Sequence, residues 1–209
     1  YGYKRLGVWG SDEVEEAAAV GAVPGEAKRS EEREIIGKGL PDWTGSFINN
    51  FSYKNWDLTV DLQFVFGVDS WQLFFHSLED RSGIANGLKT ILYDGWTADN
   101  QNTMIQQISQ QNYSGQNSVS DSHWVSDGSY VRGNLIQLGY TFDNALMQSW
   151  GFKRLRAYFS VNNAFLIDSK DFKGYDPEAV SNTNQFGQNI FFFQYPKPRT
   201  FTFGVNLGF

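Results

Sequence analysis

The ten residues TFTFGVNLGF at positions 200–209 constrain this chain more than any other stretch, because Phe201, Phe203, Val205, Leu207 and Phe209 alternate with Thr202, Gly204, Asn206 and Gly208. A strand turns successive side chains to opposite sides, so one face of this segment is wholly apolar and the other small or polar. In water the apolar face needs a covering layer. In a transmembrane β-barrel it meets lipid, while the polar face looks into a hydrated or plugged interior and an aromatic marks the interface. The segment is therefore expected to be the closing strand of an outer-membrane barrel.

Composition points the same way. Aromatics make up 17% of the chain, with 18 Phe, 10 Tyr and 7 Trp, yet the hydrophobic total is 41% and the mean hydropathy is −0.43. Aromatic richness without overall hydrophobicity suits strands in which only alternate residues meet lipid. No window reaches the roughly 18 apolar residues of a membrane helix. The chain has no Cys, so neither disulfides nor thiolate metal sites are possible. A net charge of −6 argues against a nucleic-acid partner, which requires a basic surface. The opening YGYKRLGVWG has no Met, basic n-region or apolar h-region. A piece of a longer exported precursor is expected.

Five strands are expected, at about 44–54, 56–66, 129–142, 154–166 and 197–209, and residues 1–8 are placed as the possible end of a sixth. In 56–66, Trp56, Leu58, Val60, Leu62, Phe64 and Phe66 oppose Asp57, Thr59, Asp61, Gln63 and Val65. The Lys54-Asn55 connection makes a hairpin with the preceding strand. In 129–142, Ile136, Leu138, Tyr140 and Phe142 share a face, and extending that parity puts Tyr130 and Arg132 outward, Arg132 toward lipopolysaccharide phosphate or solvent. Asn163 breaks the alternation of 154–166 and marks a bulge or the end of the lipid zone. Helices are expected at 71–81 and 87–94, and a third from Asp143 to about Trp150; 100–122 reads as polar loop.

The connections alternate in length: 54–55 and 143–153 are short, whereas 9–43, 67–128 and 167–196 are long. Barrels of this type have short periplasmic turns and long extracellular loops, so the long connections are expected outside and Phe209 on the periplasmic side. Five or six strands cannot close a barrel, since about eight are needed, and open edges in lipid cost several kcal/mol per unpaired group. Further strands must come from elsewhere.

The ordered motifs resemble the SusC/RagA-type TonB-dependent transporters of the outer membrane. Gly7-Val8-Trp9 followed by the acidic stretch Ser11 to Glu16 resembles the family's Gly-Ile-Trp loop, and Pro24-Gly25-Glu26, Ile35-Ile36-Gly37 and Leu40-Pro41-Asp42 resemble the approach to a late barrel strand. Asp127 to Arg132 with Leu138-Gly139-Tyr140-Thr141 is similar to the strand signature; Tyr175-Asp176-Pro177-Glu178 and Tyr195 to Thr200 complete the series. AKRSEERE stands where many members carry a calcium-loop-like insertion. The family's plug, TonB box and earlier strands have no counterpart in the sequence.

The resemblance implies an all-β antiparallel barrel of about 22 strands around a plug, of which this is the carboxy-terminal part. It implies nutrient uptake across the cell outer membrane, of oligosaccharides, peptides or similar solutes. Its partners would be a SusD-like lid lipoprotein, the TonB system through the amino-terminal part, and the barrel assembly machinery, which reads a terminal signal like Phe201 to Phe209. The remaining strands and plug of the same protein, with lipid and lipopolysaccharide, complete the partners.

No cofactor, metal or catalytic group is expected. His76 and His123 stand without nucleophile or phosphate-loop motifs, and Asp168, Asp171, Asp176 and Glu178 miss the EF-hand spacing and read as solvated loop charge. Asp176-Pro177 reads as turn chemistry. Trp71, Phe74, Phe75, Trp96 and Trp124 are candidates for contact with substrate or lid, through area burial and stacking, or else they pack the long loop. Asp57, Asp61, Gln63 and Asn206 are expected to face the lumen, the two carboxylates toward plug cations rather than in direct recognition of substrate. The rivals are a soluble secreted β-sandwich that binds carbohydrate and a self-contained barrel of eight strands with extra strands in 67–128.

Overall fold

A computed structural model covers the 209 residues; residues 1–79, 86–108, 121–143, 151–178, 189–191 and 194–209 are described, together with the backbone alone at Ser77. Their strands are β1 (Gly2–Val8), β2 (Ala27–Glu34), β3 (Trp43–Tyr53), β4 (Trp56–Phe66), β5 (Asp69–Trp71), β6 (Val125–Asp127), β7 (Tyr130–Thr141), β8 (Arg154–Asp168) and β9 (Thr200–Gly208). Short helices occupy Val14–Ala19 (α1), Leu73–Glu79 (α2) and Lys89–Asp94 (α3), with a 3₁₀ turn at Ser122–Trp124. The helix expected from Asp143 to Trp150 lies outside the described residues apart from its first position. The chain divides into two compact units. One comprises Tyr1–Leu40, Asp69–Asp127 and Asp171–Gln194; the other comprises Pro41–Val68, Gly128–Lys170 and Tyr195–Phe209.

The second unit is a five-stranded antiparallel sheet in the order β3-β4-β7-β8-β9. Between β3 and β4 only Lys54 and Asn55 intervene, and Lys54 takes the positive φ of 53° that a two-residue hairpin turn demands. Cross-strand partners share a face, so the register lines up Phe51, Leu58, Leu138, Phe159 and Phe203 in one apolar row. Phe51, Leu138, Phe159 and Phe203 are 44 to 73% exposed. Among the described residues no second sheet covers that face, which overturns the sandwich reading. An apolar row of this size is stable where the solvent is hydrocarbon.

A break in register corrects one expectation. Asp61 pairs with Leu135 and Leu62 with Gly133, leaving Asn134 as an extra residue on β7. On β8, Asn163 and Ala164 oppose it, and Asn163 adopts φ of 56°. One inserted residue reverses facing, because side-chain direction has a period of two. Beyond the bulge Val131 and Gly133 take the apolar side, and Tyr130 and Arg132 turn to the polar side beside Gln63. They are 5% and 3% exposed there, so Arg132 does not point outward.

The first unit begins with the β1-β2 ribbon, whose register shifts twice. Residues 1–8 thus belong to a separate two-stranded sheet and add no sixth strand to the five. Between β4 and β7 the described residues contain only the three-residue strands β5 and β6, paired with each other, so extra barrel strands are not found there. Trp9, Ala17 and Ala22 form one small core. Trp124, Phe191 and Gln72 are also buried, and Gln72 N donates to Trp124 O at 2.6 Å.

Candidate functional site

On the polar face of the sheet the strongest feature is an ion pair. Arg156 of β8 reaches across β7 and donates Nε to Asp57 Oδ1 at 3.0 Å and Nη2 to Asp57 Oδ2 at 2.5 Å. The guanidinium passes over Gly139, where any Cβ would meet both Arg156 and the carboxylate. A side chain at 139 would push the pair out of this geometry. Arg156 also lies over the Tyr158 ring, 5.3 Å from its centroid, and Tyr158 covers Gly204 on β9. Exposed Asn206 is the register partner of Arg156.

Farther along the same face, Gln63 donates to Tyr130 Oη at 3.2 Å and accepts from Asn134 Nδ2 at 3.1 Å. Half-buried Asp61 sits between Ile48 and Leu135 in the register. The structure thus brings Asp57 together with Arg156, and Gln63 with Tyr130, while Asp61 joins neither group and Asn206 is placed only as the register partner of Arg156. Arg156 was missed as the partner of Asp57: alternation puts both on one face, but only the register brings them into reach.

In the first unit, α2 and the 3₁₀ turn gather the aromatic candidates. Phe74 meets Phe75, Tyr175 and Phe191 with ring centroids 5.2, 6.1 and 6.4 Å apart. Trp71 exchanges backbone hydrogen bonds with Asn189 and Phe191, at 2.9 Å each. Trp71, Phe74, Phe75 and Trp96 are half-buried. Trp124 is different: at 0% exposure, with His76 and His123 packed edge-on at 5.5 and 4.5 Å, it offers no surface for a ligand. Its role is packing, because a long loop is ordered only around a core of its own.

The histidines also serve packing, His76 at 4% exposure and His123 with its Nε2 3.0 Å from Glu79 Oε2. Among the described residues no group of three His, Asp or Glu side chains is placed to hold a metal ion. Asp176 is not solvated loop charge: it is 2% exposed and accepts from Glu178 N at 3.0 Å, the turn bond expected of Asp-Pro.

Asp121 ties the unit together. Fully buried, its Oδ2 accepts from Arg5 Nε on β1 and Arg29 Nε on β2, each at 2.7 Å. Arg5 also donates to Met104 O at 2.9 Å and lies over the Trp124 ring. Burial works against the charge on Asp121, but the two guanidiniums outweigh it and hold the carboxyl below the usual range. Glu13 is likewise held low, by the Gly10 amide and by its ion pair with Lys28. These pairs were not legible in the sequence, since Arg5 and Asp121 are 116 positions apart.

No family model matches the chain. TonB-dependent receptor P3 of Formosa agariphila is 33% identical over 183 residues, covering 85% of this chain and 17% of that receptor. TonB-dependent receptor P26 of the same organism is 29% identical over 225 residues, covering 100% of the chain and 22% of the receptor. TonB-dependent receptor SusC of Bacteroides thetaiotaomicron is 33% identical over 98 residues, 46% of the chain and 9% of SusC. The chain therefore spans about a fifth, 17 to 22%, of the length of P3 and P26. Among solved structures, the RagAB peptide importer in its closed-closed state matches 99% of the chain and 22% of its own, with a TM-score of 0.70 at 22% identity, a likeness of fold. Sheet, motifs and relatives agree: the chain belongs to the SusC/RagA-type TonB-dependent receptors, of which it forms a five-stranded stretch of the β-barrel.

Proposed function

We propose that the chain is the carboxy-terminal part of an outer-membrane transporter that imports oligosaccharides, peptides or similar nutrients with energy from TonB. The observation that carries this reading is the two-sidedness of the sheet: an exposed apolar row ending in Phe203 on one face, the Asp57–Arg156 pair on the other. In a barrel the first face meets lipid and the second the interior, so Asp57, Asp61, Gln63 and Asn206 line the lumen. Asp61, which no neighbouring strand neutralises through an ion pair, is then the carboxylate placed to meet a cation of the plug. The outward strip of Phe201, Phe203, Val205, Leu207 and Phe209 serves assembly by the barrel machinery.

The long connections lie outside in this reading. There Trp71, Phe74, Phe75 and Trp96, half-buried around α2 and α3, are the candidates for contact with substrate or with a SusD-like lid lipoprotein. Deletion of the gene in its host is the test. Energised uptake of one class of oligosaccharide or peptide should be lost, and a surface lipoprotein should co-purify with the wild-type receptor in detergent. Unchanged uptake across both solute classes would sink the proposal.

A further inference from the structure

The bulged residue Asn163 makes three bonds, one to β7 and two to the segment that enters β9. Its Oδ1 accepts from Arg132 Nη1 at 2.5 Å, its Nδ2 donates to Pro198 O at 3.2 Å, and its backbone carbonyl accepts from Arg199 Nε at 3.2 Å. The ladder between β8 and β9 stops at Asn162 and Thr200. Pro198 lies beyond that last rung and, lacking an N–H, cannot continue the ladder as a donor. Asn163 continues the seam by other means.

The left-handed φ of 56° explains how. Asparagine tolerates that conformation better than most residues, and there its short amide stays close to the backbone of adjacent strands. Bulges re-aim side chains in this way, and uncommon backbone geometry is retained where the surroundings hold it. The same residue grips Arg132, the side chain that the bulge turns away from the apolar face. Position 163 thus joins β7, β8 and the segment entering β9.

We propose that Asn163 is a latch that holds the root of the β8–β9 connection, Tyr195–Arg199, against the barrel wall. While it is closed, the segment Tyr195–Arg199 is held to β8 and the start of β9 is undisturbed. Release of the latch frees the root as far as Thr200.

The test uses the full-length receptor in outer membranes, with a nitroxide label at Lys197→Cys and the mobility of its spectrum as the readout. Asn163→Gly keeps the left-handed backbone accessible and deletes both side-chain bonds. The ratio of mobile to immobile label should rise about 2- to 12-fold, the shift that loss of the one ordinary hydrogen bond to Pro198 produces. An unchanged ratio in a barrel that assembles normally would overturn the proposal. Where the glycine variant does not assemble, Asn163→Asp decides. It keeps an acceptor for Arg132 but has no donor for Pro198, so a rise supports the latch and no rise overturns it.

Discussion

In the sheet, Phe201 and Phe203 are 65% and 73% exposed, whereas in the loop unit Trp124 and Phe191 are 0% and 2% exposed. The same residue class is turned outward in one unit and enclosed in the other. Each position fits the medium proposed for it: with lipid over the sheet its apolar side chains need no protein partner, while the loops must build their own core against water. The polar groups show the converse. In the sheet, charges gather on one face as the Asp57–Arg156 pair; in the loop unit, charge is buried at Asp121 and clamped by two arginines.

The largest test of this contrast is Trp124→Ala. Removing a fully buried indole should cost the loop unit about 3–5 kcal/mol. Hydrogen exchange should accelerate at Gln72 and at residues 121–127 with assembly of the barrel unaffected. Failure of both units together would break the comparison. Next comes Phe203→Arg, expected to cost roughly 2–4 kcal/mol if that row lies near the bilayer midplane, and much less at Asn206→Arg. Heat-modifiable mobility of the assembled receptor reports both, and equal tolerance would refute the facing of β9.

The smallest effect is acid sensitivity of the loop unit. Asp121 has a folded pKa below its unfolded value of about 3.9. Its contribution is therefore complete above that value and is lost as pH falls from there through the lower folded value. Exchange in the β1–β2 ribbon should rise over that window. In Asp121→Asn the ribbon should already exchange faster at neutral pH and should lose that part of its acid response.

Much of the sheet was legible because lipid imposes a strict period. The runs at 56–66 and 200–209 keep one parity throughout, and the hairpin at Lys54-Asn55 followed from connection length. β7 was misread at one end for the same reason. Extending the parity of Ile136, Leu138 and Tyr140 backward sends Arg132 into lipid, and the single extra residue at Asn134 is visible only once β4 and β8 are aligned on either side. The helices near 71–81 and 87–94 appeared from apolar spacing, as Leu73–Glu79 and Lys89–Asp94. The ribbon partner of residues 2–8 did not, since AKRSEERE has no alternation to betray a strand.

The sequence by itself determined the membrane-crossing strands and the order of short and long connections, because a two-residue period and turn chemistry are local properties of the chain. Tertiary structure alone decided which charges meet. Arg156 finds Asp57 across an intervening strand, Arg5 and Arg29 find Asp121 from far along the chain, and Asn163 turns from an irregularity into a junction. Those outcomes depend on register, where one residue reverses a face and a glycine clears a path, and register is set only when the strands stand side by side.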